Sequence, residues 1–360
     1  MLITTDDALR RQAEAWRRCP WLTLDTEFVR EDTYFAKLAL LQICDGRTAA
    51  CIDPLAVADL EPLREIFDAP EVLKVLHAPD QDLEIIVHRW GTCPKPLFDT
   101  QLAATLLGIA DQPSYAALVA ALLGVTVDKS LTRTPWLRRP LRAAELAYAE
   151  ADVEHLAQMY PVLERRLRDT GRLAWLQEDC ARMAEPARYR PHPEGEWRRL
   201  KSLARLPARA QHIAARLAAW REAEAARRDR PRRWVLSDEA LYAVATRAPQ
   251  TKQDLGALAV LPREQLDRDA EVLLACVQEG LAVDAPALVS DMRATPQLQA
   301  RLQRLQEVLR DRAAALGLPM TLIAPRADLE AIARDGDAAD VPALAGWRRV
   351  AAGEALLASL

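Results

Sequence analysis

The chain has 360 residues, 50% of them hydrophobic and 28% charged, enough for two or three domains with real cores and unlike a disordered or fibrous composition. No apolar run approaches the ~18 residues of a transmembrane candidate. The N-terminus MLITTDDALRRQAEAW carries acids and arginines where a signal peptide needs an apolar stretch. The expectation is a cytoplasmic protein with no membrane partner. The net charge of −4 excludes a globally basic nucleic-acid binder. Six scattered cysteines (Cys19, Cys44, Cys51, Cys93, Cys180, Cys276) with no C-x-x-C pair argue against a zinc site, a redox motif or a disulfide scaffold.

From the N-terminus, TTDDALRRQAEAW predicts a helix with Thr or Asp near its cap. WLTLDTEF reads as a buried strand. KLALLQICD and TAACIDPL flank the turn residues Asp45 and Gly46, a hairpin signature, so three strands should form a meander. LEPLREIFDAP is a helix ended by proline, VLKVLHA a strand, DQDLEIIVHRWG a helix stopped by glycine, and LFDT a short strand leading into QLAATLLGI. This order implies a mixed sheet with helices packed on it. After Pro113 the pattern is helical throughout, in SYAALVAALLGV and then AAELAYAEADVEHLAQMYPVLERRLRDTG. A Pro- and Gly-rich break at PARYRPHPEGEW marks a domain boundary.

Beyond the break the helical pattern repeats. Arg228–Ala245 lies on Leu316–Ala333 at a constant offset of 88, matching Pro231 to Pro319, Leu241 to Leu329 and Ala245 to Ala333. The expected organisation is an α/β domain over 1–190 and two all-α modules over 197–285 and 295–360, divided near DAPALVSDMRATP. The stretch Glu196–Arg233 holds twelve Lys/Arg against four Asp/Glu, a net of +8 on an otherwise acidic chain. Such a segment suits a polyanion. Only six of the 48 basic residues are lysine, so arginine use is general, and a solvated helix face is the alternative.

Three features carry chemistry. Asp25 and Glu27 end the first long strand, and residues i and i+2 of a strand share one face. Two carboxylates so placed repel unless a cation sits between them, although a lone D-x-E is commonly a solvated strand end. Asp82 follows a strand and a short turn at the start of a helix. There Asp80, being earlier, suits the N-cap, and Asp82 is left to point into a cleft. Tyr148 and Asp152, at i and i+4, share a helix face beside the apolar positions Leu146, Val153 and Leu156.

In this order, LTLDTEFVR, LALLQI, LHAPDQDLE, FDTQ, GVTVDKS-LTRTPWLRRPL and YAEADV resemble the successive motifs of the ribonuclease D family, within the DEDD superfamily of 3′→5′ exonucleases, tyrosine subtype. The resemblance covers residues 1–185, and the two helical modules resemble HRDC domains. It implies an RNase H-like fold for the first domain. It carries four metal-binding carboxylates onto Asp25, Glu27, Asp82 and Asp152, and the tyrosine onto Tyr148. The implied cofactors are two divalent ions, Mg²⁺ or Mn²⁺, which suit hard oxygen ligands. The implied activity is removal of nucleoside 5′-monophosphates from RNA 3′ ends, tRNA precursors above all, by a monomer. Tyr148 would hold the attacking water, since a phenol pKa near ~10 is high for a general base. Phe28, Gln42 and His77 lie within these motifs, and Lys129 and Arg133 sit in a polar loop; all five are candidate substrate contacts. Core packing is the alternative for Phe28, and a structural polar role the alternative for Gln42 and His77. Competing functions are a DNA exonuclease of the same superfamily and a non-catalytic RNA-binding protein.

Overall fold

The computed structural model describes residues 1–128, 130–131, 134–289 and 295–360. Lys129 and Arg133 therefore lie outside the described residues. Six strands, β1 (Leu2–Ile3), β2 (Trp21–Val29), β3 (Lys37–Cys44), β4 (Ala49–Ile52), β5 (Leu73–Leu76) and β6 (Leu97–Asp99), form one mixed sheet in the order β1-β4-β3-β2-β5-β6. β2, β3 and β4 are the expected antiparallel meander. β5 runs parallel to β2, β6 parallel to β5, and β1 parallel to β4. The two residues of β1 are too few to leave a periodic signal, and the sequence pattern does not reveal them.

Helices α1 (Asp6–Trp16), α2 (Glu61–Asp68), α3 (Asp80–Trp90), α4 (Thr100–Leu106), α5 (Tyr115–Leu123), α6 (Ala143–Asp169) and α7 (Leu173–Met183) flank the sheet. Thr5 caps α1, its side chain accepting from the Ala8 N–H. Strand alternation sorts the two faces. Leu22, Leu24, Leu41, Ile43 and Ile52 join the main core with Leu9, Leu63 and Ile86 of α1, α2 and α3. Leu40, Cys44, Ala49 and Cys51 face α6, packing with Ala149 and Val153, and the Thr23 hydroxyl donates to Val153 O at 2.8 Å. Asp25 and Glu27 share the face of Thr23, so they are directed towards α6.

The expectation for Asp80 needs correcting. Pro79 occupies the cap of α3 without a side-chain bond, and Asp80 is the first helical residue. Ala78, at φ +49°, turns the chain into the helix and donates its N–H to Asp99 at 2.9 Å. The Asp80 carboxylate instead accepts from the Tyr189 hydroxyl at 3.2 Å.

The remaining helices are α8 (Ala208–Arg228), α9 (Arg232–Val235), α10 (Asp238–Arg247), α11 (Lys252–Ala257), α12 (Arg263–Leu281), α13 (Pro296–Leu316), α14 (Met320–Ile323), α15 (Arg326–Asp335), α16 (Gly346–Arg348) and α17 (Glu354–Ala358). The internal repeat is visible element by element. α8, α9 and α10 have 21, 4 and 10 residues, and α13, α14 and α15 have the same lengths, each starting 88 residues later.

The chain forms two compact units. The first comprises Met1–Val29, Lys37–Tyr189 and Ala294–Leu360, so the second helical stretch shares a unit with the sheet. Its attachment is specific: Trp347 stacks on Trp175 with centroids 4.6 Å apart, and Arg348 makes two bonds to Asp179, at 2.5 and 2.9 Å. The second unit comprises Arg190–Arg293 together with Arg30–Ala36, the loop joining β2 to β3. Within it the Tyr34 and Phe35 N–H groups both donate to Asp229 at 3.0 Å. The Tyr34 hydroxyl donates to the buried Glu222, and the Arg232 guanidinium sits 4.7 Å over the Tyr34 ring.

Candidate active site and metal centre

Three of the four carboxylates converge. Asp25 and Glu27 from β2 and Asp152 from α6 each place an oxygen within 4.8 Å of the others. Asp82, in the first turn of α3, stands beside this group. Its carboxylate accepts from the hydroxyl of Thr26, whose side chain leaves the opposite face of β2 from Asp25 and Glu27. Thr26 is the middle residue of the D-x-E motif, and its role has no signal in the sequence.

Burial is the largest cause of the site's electrostatics, and mutual repulsion follows. The Asp25 carboxyl is driven well above the ordinary carboxylate range by burial, then by the charges of Asp82, Asp152 and Glu27. Glu27 is raised to about 8 by burial and by Asp152 and Asp82. Burial lifts Asp152 to about 7 and Asp82 to about 6. Among the described residues, no cationic side chain relieves these shifts. An all-oxygen donor set held at this separation fits hard divalent cations. Their charge would return the carboxylates to the ionised form.

Tyr148 lies one helical turn before Asp152 on α6, half-buried, with its ring 6.3 Å from that of the buried Trp136. Gln42 pairs across the ladder with Asp25, so the two side chains are neighbours on one face. It is fully buried, and neither amide atom finds a partner among the described residues. That places it beneath Asp25 and not on a surface open to substrate. His77 bonds Thr100 through Nδ1 at 2.9 Å, and burial pushes its imidazole down to about 4, so it is neutral at pH 7. Phe28 is half-buried next to Glu27, where the β2–β3 register shifts.

Two further residues reach the site without any signal in the sequence. The Tyr115 hydroxyl donates to Asp152 O at 2.8 Å and lies 3.1 Å from Nδ1 of His155. Tyr115 is 37 residues from Asp152 in the chain, a separation no local pattern bridges.

The 3′-5′ exonuclease family model matches residues 1–168, and the HRDC domain model matches residues 210–277. Ribonuclease D of Nitrobacter hamburgensis is 40% identical over 99% of this chain and 94% of its own length. That of Pseudomonas paraeruginosa is 37% identical over 99% and 96%. Among solved structures, Escherichia coli RNase D, described as an exoribonuclease involved in structured RNA processing, aligns with a TM-score of 0.88 at 32% identity, covering 99% of this chain and 97% of that one.

Proposed function

The chain belongs to the ribonuclease D family and is a 3′→5′ exoribonuclease, and from that premise we propose that it hydrolyses RNA with two divalent metal ions, Mg²⁺ or Mn²⁺. Asp25, Glu27, Asp82 and Asp152 would hold the ions. The observation that carries the reading is the convergence of three carboxylates within 4.8 Å, with proton affinities driven up and no cationic side chain among the described residues to relieve them. When bound, such ions activate water and neutralise the charge that gathers on the phosphate under attack. The chain's own part is positional. The strand spacing fixes Asp25 and Glu27, α6 brings Asp152 and Tyr148 to one side, and Thr26 orients Asp82. The Tyr148 hydroxyl is on the helix face of Asp152 and would orient the attacking water by a hydrogen bond. Water attack at the terminal phosphodiester releases nucleoside 5′-monophosphates.

The substrates we propose are structured RNA 3′ ends, tRNA precursors foremost, acted on in the cytoplasm by a monomer. The description of the Escherichia coli relative supports the substrate class. We assign affinity to the basic stretch 196–233. Part of its charge is neutralised internally: Arg232 pairs with Glu222, Arg227 and Arg228 with Glu224, and Arg221 with Asp238. Lys201, Arg205 and Arg209 are exposed and carry no ion pair among the described residues, which makes them the phosphate contacts we favour. The matching element lengths support two HRDC-like modules, over 197–285 and 295–360, after an exonuclease domain over 1–190. Lys129 and Arg133 remain candidate RNA contacts on the sequence alone.

The test is digestion of matched RNA and DNA oligomers labelled at the 5′ end. The expected result is a one-nucleotide ladder on RNA that vanishes in chelator and returns with Mg²⁺ or Mn²⁺. Asp25→Ala and Asp152→Ala should abolish it while retaining the circular dichroism of the wild type. Full activity in chelator would overturn the metal reading, and preferential digestion of DNA would overturn the substrate.

A further inference from the structure

Tyr115 opens α5, behind the Ser114 cap whose hydroxyl accepts from the Ala117 N–H at 3.4 Å. Its phenol has one proton and three neighbours: the Asp152 carbonyl at 2.8 Å, the Asp152 carboxylate, and Nδ1 of His155. The carbonyl and the carboxylate both accept, so the proton goes to Asp152. Nδ1 of His155, at 3.1 Å, must then be the protonated nitrogen and donate back to the phenol oxygen. Inside α6 the Asp152 carbonyl already serves the helix ladder; Tyr115 takes its second lone pair. The result is a lateral clamp on α6 at the residue whose carboxylate joins the cluster.

The clamp is itself anchored. The His77 ring stands edge-on to Tyr115 with centroids 5.7 Å apart. His77 bonds Thr100 at 2.9 Å, and Thr100 donates to Leu76 O at 3.1 Å. On the other side of Tyr115, the Gln101 amide donates to Pro113 O at 3.0 Å. Bonds and packed rings therefore run from the end of β5 and the start of α4 to the middle of α6. Nothing in the chemistry proposed above uses Tyr115 or His155.

We propose that Tyr115, assisted by His155, is a positioning residue: it fixes the depth and rotation of α6 so that the Asp152 carboxylate stays within reach of Asp25 and Glu27. Like charges at this distance drive the strand and the helix apart until cations bind. A helix held only by its apolar side can roll by the few tenths of an ångström that separate a good ligand set from a poor one. Outer groups that orient metal ligands typically contribute about 10–100-fold to metal affinity. The inference rests on the metal-dependent reading of the site.

The experiment is Mn²⁺ binding by calorimetry to the full chain without RNA, for the wild type, Tyr115→Phe, His155→Ala and Asp152→Asn. Tyr115→Phe removes the hydroxyl and keeps the ring against His77. Its Mn²⁺ dissociation constant should rise about tenfold or more, and the Mg²⁺ concentration for half-maximal activity should rise in parallel, with kcat at saturating Mg²⁺ falling less than affinity does. His155→Ala, which leaves the bond to Asp152 O, should give a smaller shift in the same direction. A wild-type Mn²⁺ affinity in Tyr115→Phe would overturn the proposal, even if its thermal midpoint fell, because a purely structural tyrosine would act that way. If the wild type itself bound no Mn²⁺, the metal reading would fail first. If Asp152→Asn lost binding and Tyr115→Phe did not, only the clamp would fail.

Discussion

Asp25, Glu27 and Asp152 occupy positions where their charges oppose one another, and this gives the site a pH signature of its own. Their carboxyls, and that of Asp82, have folded-state affinities for protons raised above the unfolded values near ~4, to about 8 for Glu27, about 7 for Asp152 and about 6 for Asp82. The native protein then binds more protons than the unfolded chain between roughly pH 4 and 8, so this cluster lowers stability as pH rises through that window. Divalent ions must displace those protons. Mn²⁺ or Mg²⁺ should therefore raise the thermal midpoint more at pH 8 than at pH 6, as read by calorimetry at the two pH values. An equal shift at both would show that the carboxylates are already ionised without metal. Tyr148 makes a separate prediction. Tyr148→Phe keeps the packing beside Trp136 and deletes one positioning hydrogen bond, which should cost about 10²-fold in kcat with little change in KM. Steady-state kinetics on a short RNA measures both.

α6 is the element on which most of the proposed site depends, because it carries Tyr148 and Asp152, with His155 one turn beyond. Its first turn is secured by Glu145, whose fully buried carboxylate accepts from the Arg142 N–H at 2.7 Å, Arg142 Nε at 2.8 Å and Arg138 Nη2 at 2.7 Å. The loop before it is pinned by Arg139, which grips Asp53 with two bonds of 2.7 Å and donates to Ala39 O and Trp136 O at 2.7 Å. Both arginines on Glu145 are largely exposed, so solvent screens their charge, and the bond to the orphan backbone N–H is the dependable part. Glu145→Ala should destabilise the fold by about 1–2 kcal/mol. It should also reduce kcat, since Tyr148 lies only three residues further along. Urea unfolding at constant m-value gives the first number, and an unchanged midpoint would mean that Arg142 and Arg138 contribute nothing to holding the turn.

At the scale of the whole chain, the two compact units change how the helical half must be tested. Cutting the chain after the exonuclease domain is the natural deletion from sequence, yet it would strip Leu305, Leu309, Ile323, Leu329, Trp347 and Leu356 from the core of the first unit, where all are buried. It would also leave Tyr34 and Phe35 without Asp229 and Glu222. Charge substitutions avoid both consequences. Lys201→Gln, Arg205→Gln and Arg209→Gln combined should raise KM for a structured RNA and leave a short oligomer nearly unaffected. The slope of log affinity against log salt should become shallower by roughly 0.7–0.9 for each phosphate that is no longer neutralised. Unchanged salt dependence would assign these three side chains to the solvated surface. No helix among the described residues is long and apolar enough to cross a membrane.

Apart from the two-residue β1, the order of strands and helices, the meander, the offset-88 repeat and the acidic motifs were legible in the chain, because each is written in local spacing: alternation for strands, 3.6-residue periodicity for helices, and a fixed offset between modules. Asp25 and Glu27 could be paired from strand geometry, and Tyr148 with Asp152 from helix geometry, without knowing where either element lies. Tertiary structure alone decided what those pairs meet. It brought β2 and α6 together, turned Asp82 towards Thr26, buried Gln42 beneath Asp25 and closed Tyr115 onto Asp152. It also joined the C-terminal stretch Ala294–Leu360 to the catalytic unit and the 30–36 loop to the other. The physical reason is common to all of these. Periodicity reports which face of an element is apolar, but the partner of that face, and the polar groups stranded or satisfied by the match, depend on contacts between residues far apart in the chain.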